Sequence, residues 1–163
     1  MITTYLALGS NLGDRSAHLR RAIQALAPQV QPICQSPVYE TPPWGIVDQP
    51  KFLNQVIAGQ TRLTPIALLR HLKQIERDLG RTETIRNGPR VIDIDILFYD
   101  DLIYEDHTLA IPHPRLHERA FVLVPLADLA PDMCHPVLRK TVLQLLADVD
   151  TEGIQLYEEQ TGV

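Results

Sequence analysis

Isoleucines at 92, 94 and 96 interleave with aspartates at 93 and 95. In an extended chain successive side chains alternate faces, so this run reads as a strand whose Ile92–Ile94–Ile96 side must be buried while Asp93 and Asp95 look the other way. Two carboxylates one pleat apart repel, and each raises the other's pKa unless a cation lies between them. Mg²⁺ suits that place, because it takes hard oxygen ligands and often binds through one or two carboxylates plus substrate phosphates. The competing reading is an amphipathic strand with its acidic side in water, the ordinary fate of charged residues. The neighbourhood favours the first reading. Arg81, Arg86 and Arg90 lead into the strand, and Gly88-Pro89 sets the turn before it. Arginines beside paired carboxylates are what a polyphosphate substrate would require.

The rest of the chain is organised to hold that strand. Its 163 residues predict a single domain over 1–163 with a real core. A net charge of −5 argues against a general basic surface for nucleic acid. Cys34 and Cys134 lie far apart with no metal-ligand spacing, and are expected to be reduced and buried. The N-terminal residues lack a basic leader and no apolar run is long enough for a membrane span, so a cytoplasmic protein is expected.

Thr3–Ser10 reads as a strand, followed by a glycine-rich turn, Gly9 to Gly13, with Asp14 as the cap of a helix over 15–26. The turn matches neither of the common phosphate-binding glycine patterns. Val30–Val38 reads as a second strand that runs into the stiff loop Thr41-Pro42-Pro43-Trp44. In a third strand over 52–59, Phe52 and Asn54 share a face, offering a ring to stack on and an amide that both donates and accepts. Thr64-Pro65 opens a second long helix that ends at Gly80. Lys73, Glu76 and Arg77 lie off its apolar stripe, as a solvated face would.

Beyond the aspartates a turn at 99–102 and a short edge strand at 102–104 are expected. Pro112-His113-Pro114-Arg115-Leu116-His117-Glu118-Arg119 then gathers more cationic or protonatable groups than a structural turn needs, which suits a phosphate-facing loop. Phe121–Leu126 should pack into the core. A short helix is expected over 141–149, and 151–163 should be peripheral. The order β, α, β, β, α, β predicts an α+β sandwich, with two helices on one face of a mostly antiparallel sheet and an extra C-terminal helix.

Five blocks together resemble hydroxymethyl-dihydropterin pyrophosphokinase: Leu8-Gly9-Ser10-Asn11-Leu12-Gly13, Thr41-Pro42-Pro43, Leu79-Gly80-Arg81, Gly88 to Leu97, and Pro112 to Leu123. The resemblance implies a ferredoxin-like fold and transfer of a diphosphate from ATP to a pterin alcohol. It implies that Asp93 and Asp95 hold two Mg²⁺ ions and that Arg81 and Arg90 steady the transferring group. Glu76, Arg86, His113 and Arg119 would line the ATP site. Thr41, Pro42, Phe52, Asn54 and Phe121 would form the pterin pocket, with Trp44 beside it. It further implies small-molecule substrates, no nucleic acid or membrane partner, and a monomer. Loops 42–50 and 81–90 are expected to act as lids. Three positions depart from the family pattern: Glu83 where a basic residue is frequent, Lys73 where glutamine is frequent, and Asn87 in place of an aromatic. A two-metal nucleotidyltransferase fits less well, because its aspartates would follow Gly9-Ser10 much sooner. A binding module without activity would have lost the carboxylate pair or the arginine loop, and neither is missing.

Overall fold

The structure, a computed structural model, describes residues 1–44, 47–81 and 88–158. The elements run β1 (Ile2–Ser10), α1 (Arg15–Leu26), β2 (Val30–Gln35), β3 (Tyr39–Thr41), β4 (Phe52–Thr61), α2 (Pro65–Asp78), β5 (Asp93–Tyr99), β6 (Tyr104–Glu105), β7 (Ala110–Ile111), α3 (Ala120–Leu129), α4 (Val142–Ala147) and β8 (Gln155–Leu156). The main sheet has the order β5-β1-β4-β3-β8, with β2 also paired to β4. Every pairing in it is antiparallel.

The βαββαβ unit expected from the sequence is present as β1-α1-β2/β3-β4-α2-β5. Local chemistry sets its helix starts. The Asp14 carboxylate accepts from the Ala17 N–H, and the Thr64 hydroxyl accepts from the Ala67 N–H with Pro65 at the first turn. Thr141 and Gln144 form a reciprocal capping box on α4.

Alternation along the strands divides the core in two. Leu6, Leu8, Ile94 and Ile96 face α1 and α2, packing with Leu19, Leu26, Leu68 and Leu72. The opposite face carries Val56 and Phe98, packed with Leu123, Leu126, Val142 and Leu145 of α3 and α4. The two helices expected on one face are α1 and α2, and α3 and α4 cover the other face as well. A register shift between Tyr5 and Leu6 lets the consecutive Leu97 and Phe98 both join the second cluster.

Several expectations are corrected in detail. The strand expected over 30–38 ends at Gln35, ahead of Pro37, which cannot donate to a ladder, and a separate short strand, β3, follows at Tyr39–Thr41. Phe121–Leu126 enters the core as helix. Gln155–Leu156 extends the sheet by pairing with Tyr39 and Glu40, so the C-terminal segment is less peripheral than expected. Cys34 and Cys134 are exposed rather than buried. Cys34 lies on β2, a strand mostly open to solvent.

Candidate active site

The site is laid out by strand register. Gly9 of the central strand pairs with Asn54 on one side and Asp93 on the other. Two residues back, Ala7 pairs with Val56 and Asp95. Two neighbouring rows thus cross three strands on one face, with small residues in the middle as the floor. Strands sit about 4.8 Å apart, so the Asn54 and Asp93 positions are two strand spacings, about 10 Å, from each other.

Over this floor lies a cleft of about 270 Å³. Thr41, Pro42, Trp44, Phe52 and Asn54 line one end, and Arg81, Arg90, Asp93, Asp95, His113 and Arg119 the other, with Phe121 also in its wall. At the aromatic end Asn54 is buried and donates from Nδ2 to the Thr41 hydroxyl at 2.6 Å. Gly9 makes room for that amide, since a Cβ there would come within 2.7 Å of Asn54 Oδ1. The Trp44 and Phe121 rings lie 6.0 Å apart at 55°.

At the charged end Arg81 bridges two carboxylates, 2.5 Å from Glu76 Oε2 and 2.9 Å from Asp93 Oδ1. Glu76 is only 2% exposed and does not line the cleft. Its Oε2 also accepts from the Ile94 N–H at 2.8 Å, and Lys73 Nζ lies 3.2 Å from Oε1. The solvated face expected for this part of α2 is therefore overturned at Glu76, which is drawn into the α2–β5 contact. Burial, then the Asp93 charge, push its pKa up. The same two causes raise Asp95 to about 7. Burial and then the Arg119 charge lower His113 to about 4, so its imidazole is neutral at pH 7. The Arg119 guanidinium lies 5.6 Å above the Phe121 ring. Its Nε is buried without a hydrogen-bond partner among the described residues, as suits a site that awaits an anion.

A second cavity of about 340 Å³ adjoins the first. Ile94, Ile96, Asp106, Thr108, Leu109 and Ala110 are among its walls, and Lys73, Asp95 and His113 belong to both cavities. Residues 106–110 were not foreseen as part of a site. Their signal was weak: Asp106 accepts from the N–H groups of Thr108 and Leu109, a turn that any Asp-x-Thr sequence allows.

Asn11 was also missed. It is 2% exposed. Its amide donates to Gln49 Oε1 and the Pro50 carbonyl and accepts from the Arg90 N–H, tying together the chain on both sides of the cleft. Of the residues foreseen as functional, Arg86 lies outside the described residues, as do Glu83 and Asn87 of the arginine loop. Gly9 lies within β1, as the strand expected over Thr3–Ser10 requires.

The model of the 7,8-dihydro-6-hydroxymethylpterin-pyrophosphokinase (HPPK) family matches residues 5–131. The chain belongs to the HPPK family. It is thus a pyrophosphokinase of folate biosynthesis. The matched span runs from β1 past α3 and holds every described residue of both cavities. A 2-amino-4-hydroxy-6-hydroxymethyldihydropteridine pyrophosphokinase from Methylorubrum extorquens is 47% identical over 97% of this chain and 100% of its own length. The Bacillus subtilis protein of the same name is 42% identical over 98% of this chain and 92% of its own. The folic acid synthesis protein fol1 of Schizosaccharomyces pombe is 44% identical, but the chain spans 21% of that protein. Among solved structures, an HPPK-DHPS from Plasmodium falciparum superposes with a TM-score of 0.74 at 19% identity, over 90% of this chain and 45% of that one. That likeness bears on the fold, which in HPPK domains is ferredoxin-like.

Proposed function

We propose that this HPPK domain, spanning 1–163, transfers the diphosphate of ATP to the hydroxymethyl group of 6-hydroxymethyl-7,8-dihydropterin and releases AMP. The observation that carries the reading is the junction of the two cavities at Asp95. The first cavity has an aromatic end with a buried amide and a charged end with the carboxylate pair and three arginines, and the second cavity opens from that charged end at Asp95, Lys73 and His113. The pterin occupies the first, edge-on to Asn54 and Thr41 and against Phe52 and Phe121. The nucleoside of ATP occupies the second, and its phosphates cross the junction.

Asp93 and Asp95 fit a hard cation. They share a face and a cleft, and burial beside a like charge raises the Asp95 pKa to about 7 even with Arg119 and Lys73 nearby. No group of three or more His, Cys, Asp or Glu side chains is placed to hold a metal among the described residues. Two carboxylates with an otherwise open shell match Mg²⁺, which completes its shell from water and phosphate oxygens. Two bound Mg²⁺ ions would neutralise charge on the attacked phosphorus and on the departing phosphate.

The remaining work falls to the chain's own groups. Asn54 and Thr41 orient the pterin so that its hydroxymethyl oxygen points along the floor towards β5. That oxygen bonds to the β-phosphorus, and the bond from the β-phosphorus to the α,β-bridging oxygen breaks. The electron pair leaves on AMP and the hydroxyl proton is released. Arg81, held by Glu76 and Asp93, presents a preset charge to the transferring group, and Arg90 and Arg119 supply further charge. No protein nucleophile is required. We further propose that the chain acts on small molecules as a cytoplasmic monomer, with a net charge of −5 that speaks against a nucleic-acid partner.

Incubation with ATP, Mg²⁺ and the pterin alcohol tests the reading. AMP should appear only when all three are present. ADP in its place would make the chain an ordinary kinase and overturn the proposal.

A further inference from the structure

We propose that Lys73 is a phosphate-binding residue of this chain, gripping the polyphosphate of the nucleotide where the two cavities meet. The inference rests on the assignment of the second cavity to ATP. Arg81, Arg90 and Arg119 line only the first cavity, whereas Lys73 lines both. Among the described residues it is the one lysine or arginine in the wall of the second cavity, which also carries the carboxylates of Asp95 and Asp106. A nucleotide with its nucleoside there and its phosphates at Asp93 and Asp95 must pass the Lys73 ammonium.

The side chain is free to serve. Its Nζ lies 3.2 Å from Glu76 Oε1, and the Lys73 side chain is 44% exposed while that of Glu76 is 2% exposed. Glu76 does not depend on this contact alone, because Oε2 already takes Arg81 at 2.5 Å and the Ile94 N–H at 2.8 Å. Lys73 can therefore turn from Glu76 to a phosphate oxygen and leave that carboxylate matched. It is a compact point charge on a flexible stem, suited to a polyphosphate that shifts during reaction. The opposing reading makes Lys73 a purely structural counter-ion for Glu76. Loss of the ammonium would then disturb Arg81 and affect all ligands alike.

Calorimetric binding of α,β-methylene-ATP with Mg²⁺, of adenosine and of the pterin alcohol, to wild type, Lys73→Gln and Lys73→Arg, separates the two. Loss of one charge-assisted contact should weaken the ATP analogue about tenfold in Lys73→Gln. Adenosine and pterin should bind as in wild type, and Lys73→Arg should retain most of the analogue affinity. The dependence of analogue affinity on salt should also become shallower in Lys73→Gln, which a structural counter-ion would not cause. Unchanged analogue binding in Lys73→Gln, or an equal loss for adenosine and the analogue, would overturn the role of Lys73. The position is only half-buried and glutamine is a good helix former, so the variant should fold. A wild-type protein that forms no AMP from ATP and pterin would instead defeat the assignment of the reaction, a result that turnover alone reveals.

Discussion

At the scale of single residues, Asn54 and Gly9 illustrate how specificity is built. Asn54 gives one Nδ2 hydrogen to Thr41 and stands over a position where any side chain would collide with its Oδ1. Asn54→Ala should raise the KM for pterin at least about tenfold, the cost of a lost buried hydrogen bond, with ATP affinity unchanged. Equal loss for both substrates in steady-state kinetics would place Asn54 outside the pterin end. Gly9→Ala should act the same way by displacing the amide, and binding of pterin alone would report it. The sharing of one face by Phe52 and Asn54 was legible from alternation, because period two is a local property of a strand. The part played by Gly9 was not, since it depends on which residue of β4 lies opposite, and register is settled by long-range pairing.

At the scale of elements, the contact between α2 and β5 holds the charged end together. The apolar stripe of α2 was readable from Leu68, Leu72 and Ile75, and all three are buried. Glu76 follows that stripe, and the sequence alone did not distinguish an edge position facing water from one pressed against the Ile94 N–H. The difference is made by β5, whose edge backbone needs an acceptor there. Glu76→Ala should destabilise the fold by about 3 kcal/mol, because it leaves the Ile94 N–H without its acceptor and the Arg81 charge with Asp93 alone. It should also lower kcat, as Arg81 would lose one of its two anchors. Urea unfolding checks the first effect, and Glu76→Gln, which keeps the acceptor, should lose less stability. A Glu76→Ala protein as stable as wild type would remove the carboxylate from this framework.

At the scale of the whole molecule, the carboxylate pair makes stability and metal binding depend on pH. The pKa of Asp95 is raised from 3.8 to about 7, chiefly by burial. The folded state therefore holds a proton that the unfolded chain releases, and this group's stabilisation falls as pH rises from about 4 through 7. His113, lowered from 6.5 to about 4, acts oppositely: its contribution is present above 6.5 and is lost as pH falls towards 4. Mg²⁺ with an ATP analogue should relieve the first effect, bind more tightly as pH rises towards 7 and displace protons at pH 6. Calorimetry in buffers of different ionisation enthalpy measures that release, and its absence would contradict the carboxylate assignment. The ferredoxin-like order of elements was legible because each helix and strand carries its own periodicity and caps. The second helical layer was less so, since α3 is apolar nearly all round and its Pro125 masks a helix. The central claim, that Asp93 and Asp95 at the junction of the two cavities enable diphosphate transfer, is tested most directly by single-turnover AMP formation in Asp95→Asn with both substrates and Mg²⁺ saturating. The rate should fall by about a thousandfold while pterin still binds and the fold persists. A rate within about tenfold of wild type would contradict the claim.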